Sequence, residues 1–268
     1  MRLMLISFCV FLVTAQSFAQ PGGSKMESIG IDHDDFDALL KGYVDEDGFV
    51  DYPALKAHDA LALDEYLEKL GSVDPSLYGR SERLAFWINA YNALTIKGIL
   101  HFYPTKSIRD HVSVFGYSIW KDYKTNVNGA EYSLDDMEHK ILRKMDEPRI
   151  HFAIVCASVG CPKLLNEAYT AANLDEQLTR STRDFFSDRG KFMLDAQKGV
   201  VYQSPIMDWY KEDFGSNQET RLAFIRPFLE SSEDRAILDR DRLKVKNLDY
   251  DWNLNDQSQR ATDVTKKE

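Results

Sequence analysis

The sequence predicts an α+β fold: a single mature domain with a buried central helix and short mixed or antiparallel strands. Residues 84–94 are apolar on nearly every side of a helix, which is typical of a helix buried in a core. Helical and strand patterns interleave along the chain without the regular spacing of βαβ units. No linker rich in Pro, Gly or Ser divides the chain, so we expect one domain over residues 31–253.

The N-terminus predicts a cleaved signal peptide over residues 1–19. Met1 and Arg2 precede an apolar run, residues 3–13, and small residues lead up to Ala19. This run is too short to span a bilayer as a helix. We therefore expect a periplasmic or secreted protein without membrane insertion, which begins with a mobile leader over residues 20–30.

The first half of the domain carries signals for helices and turns. Asp47-Gly48 and Asn128-Gly129 are dipeptides typical of tight turns. The central helix is expected to end at Tyr103 because Pro104 follows. The spacing predicts helices over residues 36–43, 55–70 and 133–143, and a hairpin within residues 112–132.

The second half begins with a short apolar run, residues 151–156, which predicts a buried strand. Pro162 suits the first turn of a new helix. Gly215 predicts the end of a short aromatic helix. Further helices are expected over residues 174–186 and 220–229, a strand over 200–202 and an extended segment over 243–250. Residues 254–268 are polar and predict a disordered tail.

Composition narrows the class of partner. The chain has 268 residues, 44% of them apolar, and a formal net charge of −10, so its acidic balance argues against binding nucleic acid. Basic amphipathic segments for anionic membranes are also lacking. A small molecule or a peptide is the expected partner, and a protein partner remains open. No sequence motif calls for a cofactor, and no ligand spacing calls for a metal.

Chemistry is expected around the two cysteines that remain after the signal peptide is removed. Cys156 ends the predicted strand, and Cys161 would precede the predicted helix, where unpaired N–H groups favour a thiolate. Backbone N–H groups around Gly160 and Cys161 would then stabilise an oxyanion. A local disulfide between the two cysteines, redox exchange or metal binding remain alternatives in an oxidising compartment.

A nucleophilic cysteine needs a base, and two histidines are the candidates. His151 begins the predicted strand, and His139 lies on the helix with Asp135 four residues earlier. A cation that stabilises a helix C-terminus is the alternative role for His139. Loop or polar contexts place the other histidines at the surface: His33, His58, His101 and His111.

Polar residues inside the central helix form a second candidate group. Asn89 and Asn92 are expected to be buried and must find partners there. They either fix neighbouring loops, which we favour, or line a substrate pocket. The same alternatives, with aromatic packing as the default, apply to Asp208, Trp209, Tyr210 and Asp213.

With these residues described, the chain resembles the family called domain of unknown function 547 over roughly residues 35–255. Lys163 stands where we expect a second proline or a small residue. The resemblance implies a site at the cysteine segment and the two histidine motifs, without naming a substrate. The matching stretches are residues 85–94, 133–139, 149–162, 209–214 and 250–252.

Two functions from different classes follow. The first is a cysteine-dependent hydrolase or acyltransferase on a small amide, thioester or peptide, with Cys161 as nucleophile and His151 or His139 as base. The second is a non-enzymatic periplasmic binding or interaction module in which Cys156 and Cys161 form a local disulfide. A thiol-redox protein comes third, because the Cys-x4-Cys spacing is longer than that of the usual dithiol motif.

Overall fold

A computed structural model of the protein describes residues 30–113, 116–240 and 242–264. The predicted signal peptide and nearly all of the predicted leader lie outside these residues. The helices are α1 Asp34–Tyr43, α2 Tyr52–His58, α3 Ala60–Gly71, α4 Arg80–Phe102, α5 Ile119–Asp122, α6 Leu174–Ser187, α7 Ile206–Trp209, α8 Lys211–Phe214, α9 Gln218–Ile225, α10 Ser232–Leu238 and α11 Gln257–Val264. The strands are β1 Lys124–Val127, β2 Ala130–Ser133, β3 Phe192–Asp195, β4 Val200–Gln203 and β5 Lys244–Asn247.

Helix α4 is the buried central helix that the sequence predicts. Every residue from Leu84 to Leu100 except Lys97 is buried. The helix packs against α3 and ends at Tyr103, whose extended backbone precedes Pro104. An α+β single domain is therefore confirmed.

Two small sheets accompany the helices. Strands β1 and β2 form an antiparallel hairpin, and Asn128 and Gly129 turn between them with φ angles of 49° and 78°. Positive φ at both positions matches the right-handed twist of a hairpin, which is why Asn-Gly predicts it. In the second sheet, β4 pairs antiparallel with β3 and parallel with β5.

Two apolar clusters make up the core. The larger surrounds α4 and includes side chains of α1, α2 and α3. The smaller is rich in aromatic rings and joins Phe152 to side chains of α6 and the following helices. Tyr250 packs against both clusters, so the segment after β5 lies where the two cores meet.

The predicted strand over residues 151–156 is wrong. Pro148–Phe152 is a 3-10 helix, and residues 153–156 form no bridge with a strand within the described chain. The side chain of Asn92 takes that partner's place. Its amide donates to Ala153 O at 3.0 Å, and its carbonyl accepts from Val155 N at 3.0 Å. An amide of α4 thus satisfies the backbone groups that a neighbouring strand would have paired.

The expected helix after Pro162 does not form, because residues 161–173 are irregular up to the start of α6. The predicted disordered tail is also wrong over residues 254–264. Leu254, Asn255 and Asp256 are buried, and α11 follows them. The Asn255 amide accepts from Tyr52 Oη at 2.9 Å and donates to Gly48 O at 3.1 Å, so distant partners hold this polar segment.

Candidate functional site

Cys156 and Cys161 form a disulfide with a Cα–Cα distance of 6.3 Å. This distance lies within the normal range for a disulfide. Ala157, the first residue of the loop, has a φ of 58°. Of the alternatives left open for the cysteines, the structure contains the local disulfide, and Cys161 is not a free thiol in it.

Donors surround the disulfide. Cys161 Sγ accepts from Cys156 N at 3.0 Å and from Tyr250 Oη at 3.1 Å. Ser158 Oγ donates to Tyr250 Oη at 3.1 Å and lies 3.4 Å from Cys161 Sγ. Burial raises the pKa of Tyr250 to about 12, so its hydroxyl keeps the proton that it donates.

The predicted oxyanion site is absent from this loop. Gly160 N donates to Asp251 O at 2.8 Å, and Cys161 N donates to Ser158 O at 3.0 Å. A Cβ on Gly160 would lie 2.9 Å from the backbone N and O of Asp251. The glycine therefore allows the segment after β5 to approach, and Gly160 is not among the residues that line the cavity described below.

His151 is held by an ion-pair network. Its Nε2 lies 2.7 Å from Asp213 Oδ2, and its ring stacks on Tyr210 at 4.1 Å. Arg143 donates to both oxygens of the same carboxylate, at 2.6 and 2.9 Å. Burial alone would raise the pKa of Asp213, but the hydrogen bonds from His151 and Arg143 outweigh it and hold that pKa well below its usual range.

His139 is a weaker candidate for a base. Its side chain is 40% exposed, and its Nε2 lies 3.8 Å from Asp135 Oδ1, too far for a good hydrogen bond. Its Nδ1 lies 3.1 Å from Arg143. Asp135 is thus near His139 as the sequence predicts, but the histidine is not fixed as His151 is.

One cavity of about 400 Å³ brings these groups together. Aromatic rings form much of its wall, and its titratable groups are two carboxyls, two histidines and three tyrosines. Among the described residues, its lining contains neither lysine nor arginine. The lining residues are Tyr91, Trp120, Asp135, Glu138, His139, His151, Ile154, Cys156, Cys161, Pro162, Ile206, Trp209, Tyr210, Tyr250 and Trp252.

Two buried atoms of this lining have no hydrogen-bond partner within the described chain: Glu138 Oε1 and His151 Nδ1. Glu138 Oε2 accepts from Tyr91 Oη at 3.3 Å. Because a carboxylate only accepts, His151 Nε2 carries the proton shared with Asp213, which makes Nδ1 the acceptor when the ring carries one proton. Both unpaired atoms therefore call for a donor.

Asn89 and Asn92 fix loops and do not line the cavity. Asn89 donates to Tyr169 O at 2.8 Å and accepts from Tyr169 N at 2.9 Å, as Asn92 does with residues 153 and 155. The loop-fixing role favoured from the sequence is confirmed by these hydrogen bonds.

The surface position predicted for His33 is wrong, since only 4% of the residue is exposed. Glu138, Tyr250 and Trp252 line the cavity and were missed. The stretch 209–214 was noted, but packing was its expected role, whereas Trp209 and Tyr210 line the cavity and Asp213 anchors His151. Glu138 directly precedes His139, a candidate base, and this position was the one signal in the sequence that Glu138 could belong to the site.

Within the described residues, no group of three or more His, Cys, Asp and Glu side chains is arranged to hold a metal ion. No helix in that part of the chain is long and apolar enough to cross a membrane.

Comparison with known proteins supports the family resemblance. Residues 75–186 match the family model described as "Protein of unknown function, DUF547". The matched part contains α4, the cysteine segment and α6, whereas residues 209–214 and 250–252 lie outside it. No curated protein and no solved structure matches the chain.

Proposed function

We propose that this protein is an exported ligand-binding protein, and that its cavity binds a small molecule or peptide end that carries an amine. The unpaired acceptors Glu138 Oε1 and His151 Nδ1 are the observation on which this rests. A buried polar atom without a partner costs roughly 1–3 kcal/mol. A ligand with an ammonium group supplies donors to such atoms and removes that cost.

The rest of the lining favours the same chemistry. Asp135 and Glu138 supply carboxyl groups, and no lysine or arginine of the described lining opposes a cation. Trp209, Tyr250 and Trp252 stack against one another with ring centroids 4.5–5.8 Å apart. Aromatic faces attract cations and also bury the apolar part of a ligand.

Binding is tested with two probes of similar shape and opposite charge, phenethylamine and 3-phenylpropionate. We expect the amine to raise the melting temperature and the acid to leave it unchanged. At a hundredfold excess over Kd the amine would stabilise the fold by about 2.7 kcal/mol. An equal response to both probes, or none to the amine, contradicts the proposal.

The variant Glu138→Gln should lower the affinity for the amine roughly tenfold, because a charge-assisted hydrogen bond is lost. Glu131→Gln is the matched control, since Glu131 is an exposed residue of β2. Retained affinity in the Glu138 variant would remove this carboxyl from the proposal.

Export is the second part of the proposal and is supported by the leader pattern. A disulfide is compatible with an oxidising compartment. Intact mass of the protein recovered from the exported fraction should begin at Gln20 or within a few residues of it. Recovery of Met1 in a membrane pellet would contradict export.

A cysteine-dependent hydrolase or acyltransferase is the second candidate function. It is favoured by one observation: Cys161 and His151 line the same cavity, and Asp213 holds the His151 ring from behind. After reduction, His151 Nδ1 would take the thiol proton, the thiolate would attack the carbonyl carbon, and the leaving amine or thiol would recover that proton. Water would then hydrolyse the acyl-enzyme.

The two functions are separated by assaying thioester and amide hydrolysis before and after reduction. A hydrolase predicts activity only after reduction, lost in Cys161→Ser and kept in Cys156→Ser. A binding module predicts no hydrolysis in either state and similar, modest losses of stability in both variants. The loop is short, so each loss should be about 1–3 kcal/mol.

A further inference from the structure

The two sulfurs of the disulfide have different surroundings. Cys161 is only 4% exposed, and its Sγ accepts the backbone N–H of Cys156 and the hydroxyl of Tyr250. Cys156 is half-buried, and its Sγ has only hydroxyl neighbours, Ser158 at 3.2 Å and Tyr250 at 3.4 Å. Both sulfurs belong to cavity-lining residues. The more exposed of the two cysteines is therefore the one whose sulfur has fewer fixed donors.

We propose that this disulfide is a thiol–disulfide exchange centre that reacts with small-molecule thiols entering the cavity. The incoming thiolate attacks Cys156 Sγ. A bond forms between the sulfur of the incoming thiol and Cys156 Sγ, and the bond between Cys156 Sγ and Cys161 Sγ breaks. The electron pair of that bond leaves with Cys161 as a thiolate. A second thiolate then attacks the sulfur of the bound thiol and releases Cys156, so two thiols become one small disulfide and the protein gains two thiols.

The hydrogen bonds explain this direction of attack. Exchange is faster when the leaving sulfur is the more stable thiolate. Negative charge that develops on Cys161 Sγ meets the N–H of Cys156 and the hydroxyl of Tyr250, which are already in place. Donors that are fixed before reaction stabilise charge without reorganisation. Ser158 donates to Tyr250 Oη and so polarises the Tyr250 hydroxyl toward the sulfur.

The direction of attack is tested with 2-mercaptoethanol, an uncharged thiol, so that the outcome does not depend on amine recognition. The native protein is treated briefly, quenched with acid, alkylated and mapped by mass spectrometry. We expect the mixed disulfide on Cys156 and the alkylated thiol on Cys161. A mixed disulfide on Cys161, or reduction that occurs only at the rate of global unfolding, would overturn the proposal.

The role of the donor is tested by the reduction rate of Tyr250→Phe. Loss of one charge-assisted hydrogen bond should slow reduction roughly fivefold to tenfold. Tyr132→Phe, a change in β2 away from the disulfide, should keep the wild-type rate. Near-ultraviolet circular dichroism verifies that each variant is folded. The variant Ser158→Ala is a second test, in which the reduction rate should decrease by a smaller factor. An unchanged rate in both Tyr250→Phe and Ser158→Ala would overturn the assigned role of Cys161.

Discussion

His33 and His151 lie in two regions of the molecule and are almost equally buried, with 4% and 2% exposure. Each uses one ring nitrogen, and within the described chain each leaves the other nitrogen without a partner. His33 Nδ1 meets the neutral hydroxyl of Tyr66 at 2.7 Å, whereas His151 Nε2 meets the Asp213 carboxylate at 2.7 Å. The two sites differ in the charge of the partner and in what lies beside the unpaired nitrogen.

His33 packs among the rings of Tyr66 and Phe86 in the larger core cluster. Burial lowers the pKa of His33 to about 4, so the ring is neutral at physiological pH. His151 instead faces the cavity and is oriented by a carboxylate that Arg143 also holds. Burial alone therefore does not distinguish His151, the candidate base, from His33; the fixed carboxylate and the adjacent cavity do.

The largest effect expected to separate the two histidines is the loss of folding stability at acid pH that His33 causes. Its folded-state pKa lies below the unfolded value, so the unfolded chain binds more protons between pH 6.5 and 4. The stability contributed by neutral His33 is fully present above pH 6.5 and is lost as the pH falls toward 4. We expect a loss of about 3 kcal/mol over that window.

Urea unfolding of wild type and His33→Gln at pH 7 and pH 4 measures this loss. The free energy of unfolding of His33→Gln should change less between the two pH values than that of wild type. The control His58→Gln, at an exposed histidine of α2, should behave as wild type. Parallel curves for wild type and His33→Gln would remove the contrast between the two histidines.

A smaller effect is expected from Asp213→Asn, which gives His151 a neutral partner of the kind that His33 has. Arg143 would lose its carboxylate, so the free energy of unfolding should fall by roughly 2 kcal/mol at pH 7, with partial exposure of Asp213 limiting the loss. Because the folded-state pKa of Asp213 is lowered, the stability that its carboxylate contributes is fully present above the usual pKa of a carboxyl group. This stability is lost as the pH falls through the folded-state pKa.

Asp208→Asn, at an exposed position of α7, is the matched control and should change stability by less than about 0.5 kcal/mol. Equal losses in the two variants would mean that the Asp213 carboxylate does not anchor His151.

The smallest effect is expected from Tyr66→Phe. The change removes the hydroxyl that His33 contacts and keeps the ring that stacks on Phe36 at 4.9 Å. Losing a neutral hydrogen bond in the core should cost about 1 kcal/mol. Thermal unfolding measures this loss of stability, with Tyr132→Phe as the control. A loss larger than that of Asp213→Asn would contradict the expectation that the carboxylate partner of His151 contributes more stability than the hydroxyl partner of His33.

The sequence correctly predicted the elements whose structure depends mainly on residues close together in the chain. Helix α4 follows from its apolar residues, and the β1–β2 hairpin follows from Asn128-Gly129. The cysteine pair and the family resemblance also directed attention to a segment that lines the cavity. The amides of Asn89 and Asn92 were correctly expected to fix loops because a buried amide needs partners.

The errors share one physical cause, which is pairing between residues distant in sequence. His33 lies at the start of α1 in a polar context, and its partner Tyr66 is 33 residues away. The segment 153–155 takes its partner from Asn92, and nothing local distinguishes it from a strand. Asn255 finds Tyr52, 203 residues earlier, so its polar surroundings wrongly predicted disorder.

The segment from Tyr250 to Asp256 also affects the order in which a new chain can mature. Val159 and Gly160 donate to the backbone oxygens of residues 253 and 251, and Val50 donates to Asn255 O at 2.8 Å. Contacts of such long sequence separation form late, because loop closure must precede them. Cys156 and Cys161 precede Tyr250 by 94 and 89 residues, so the two cysteines are near each other in sequence but far from the segment that packs on them. A chain shortened before residue 250 would lack Tyr250 and Trp252, so the complete cavity requires a chain that extends past Trp252.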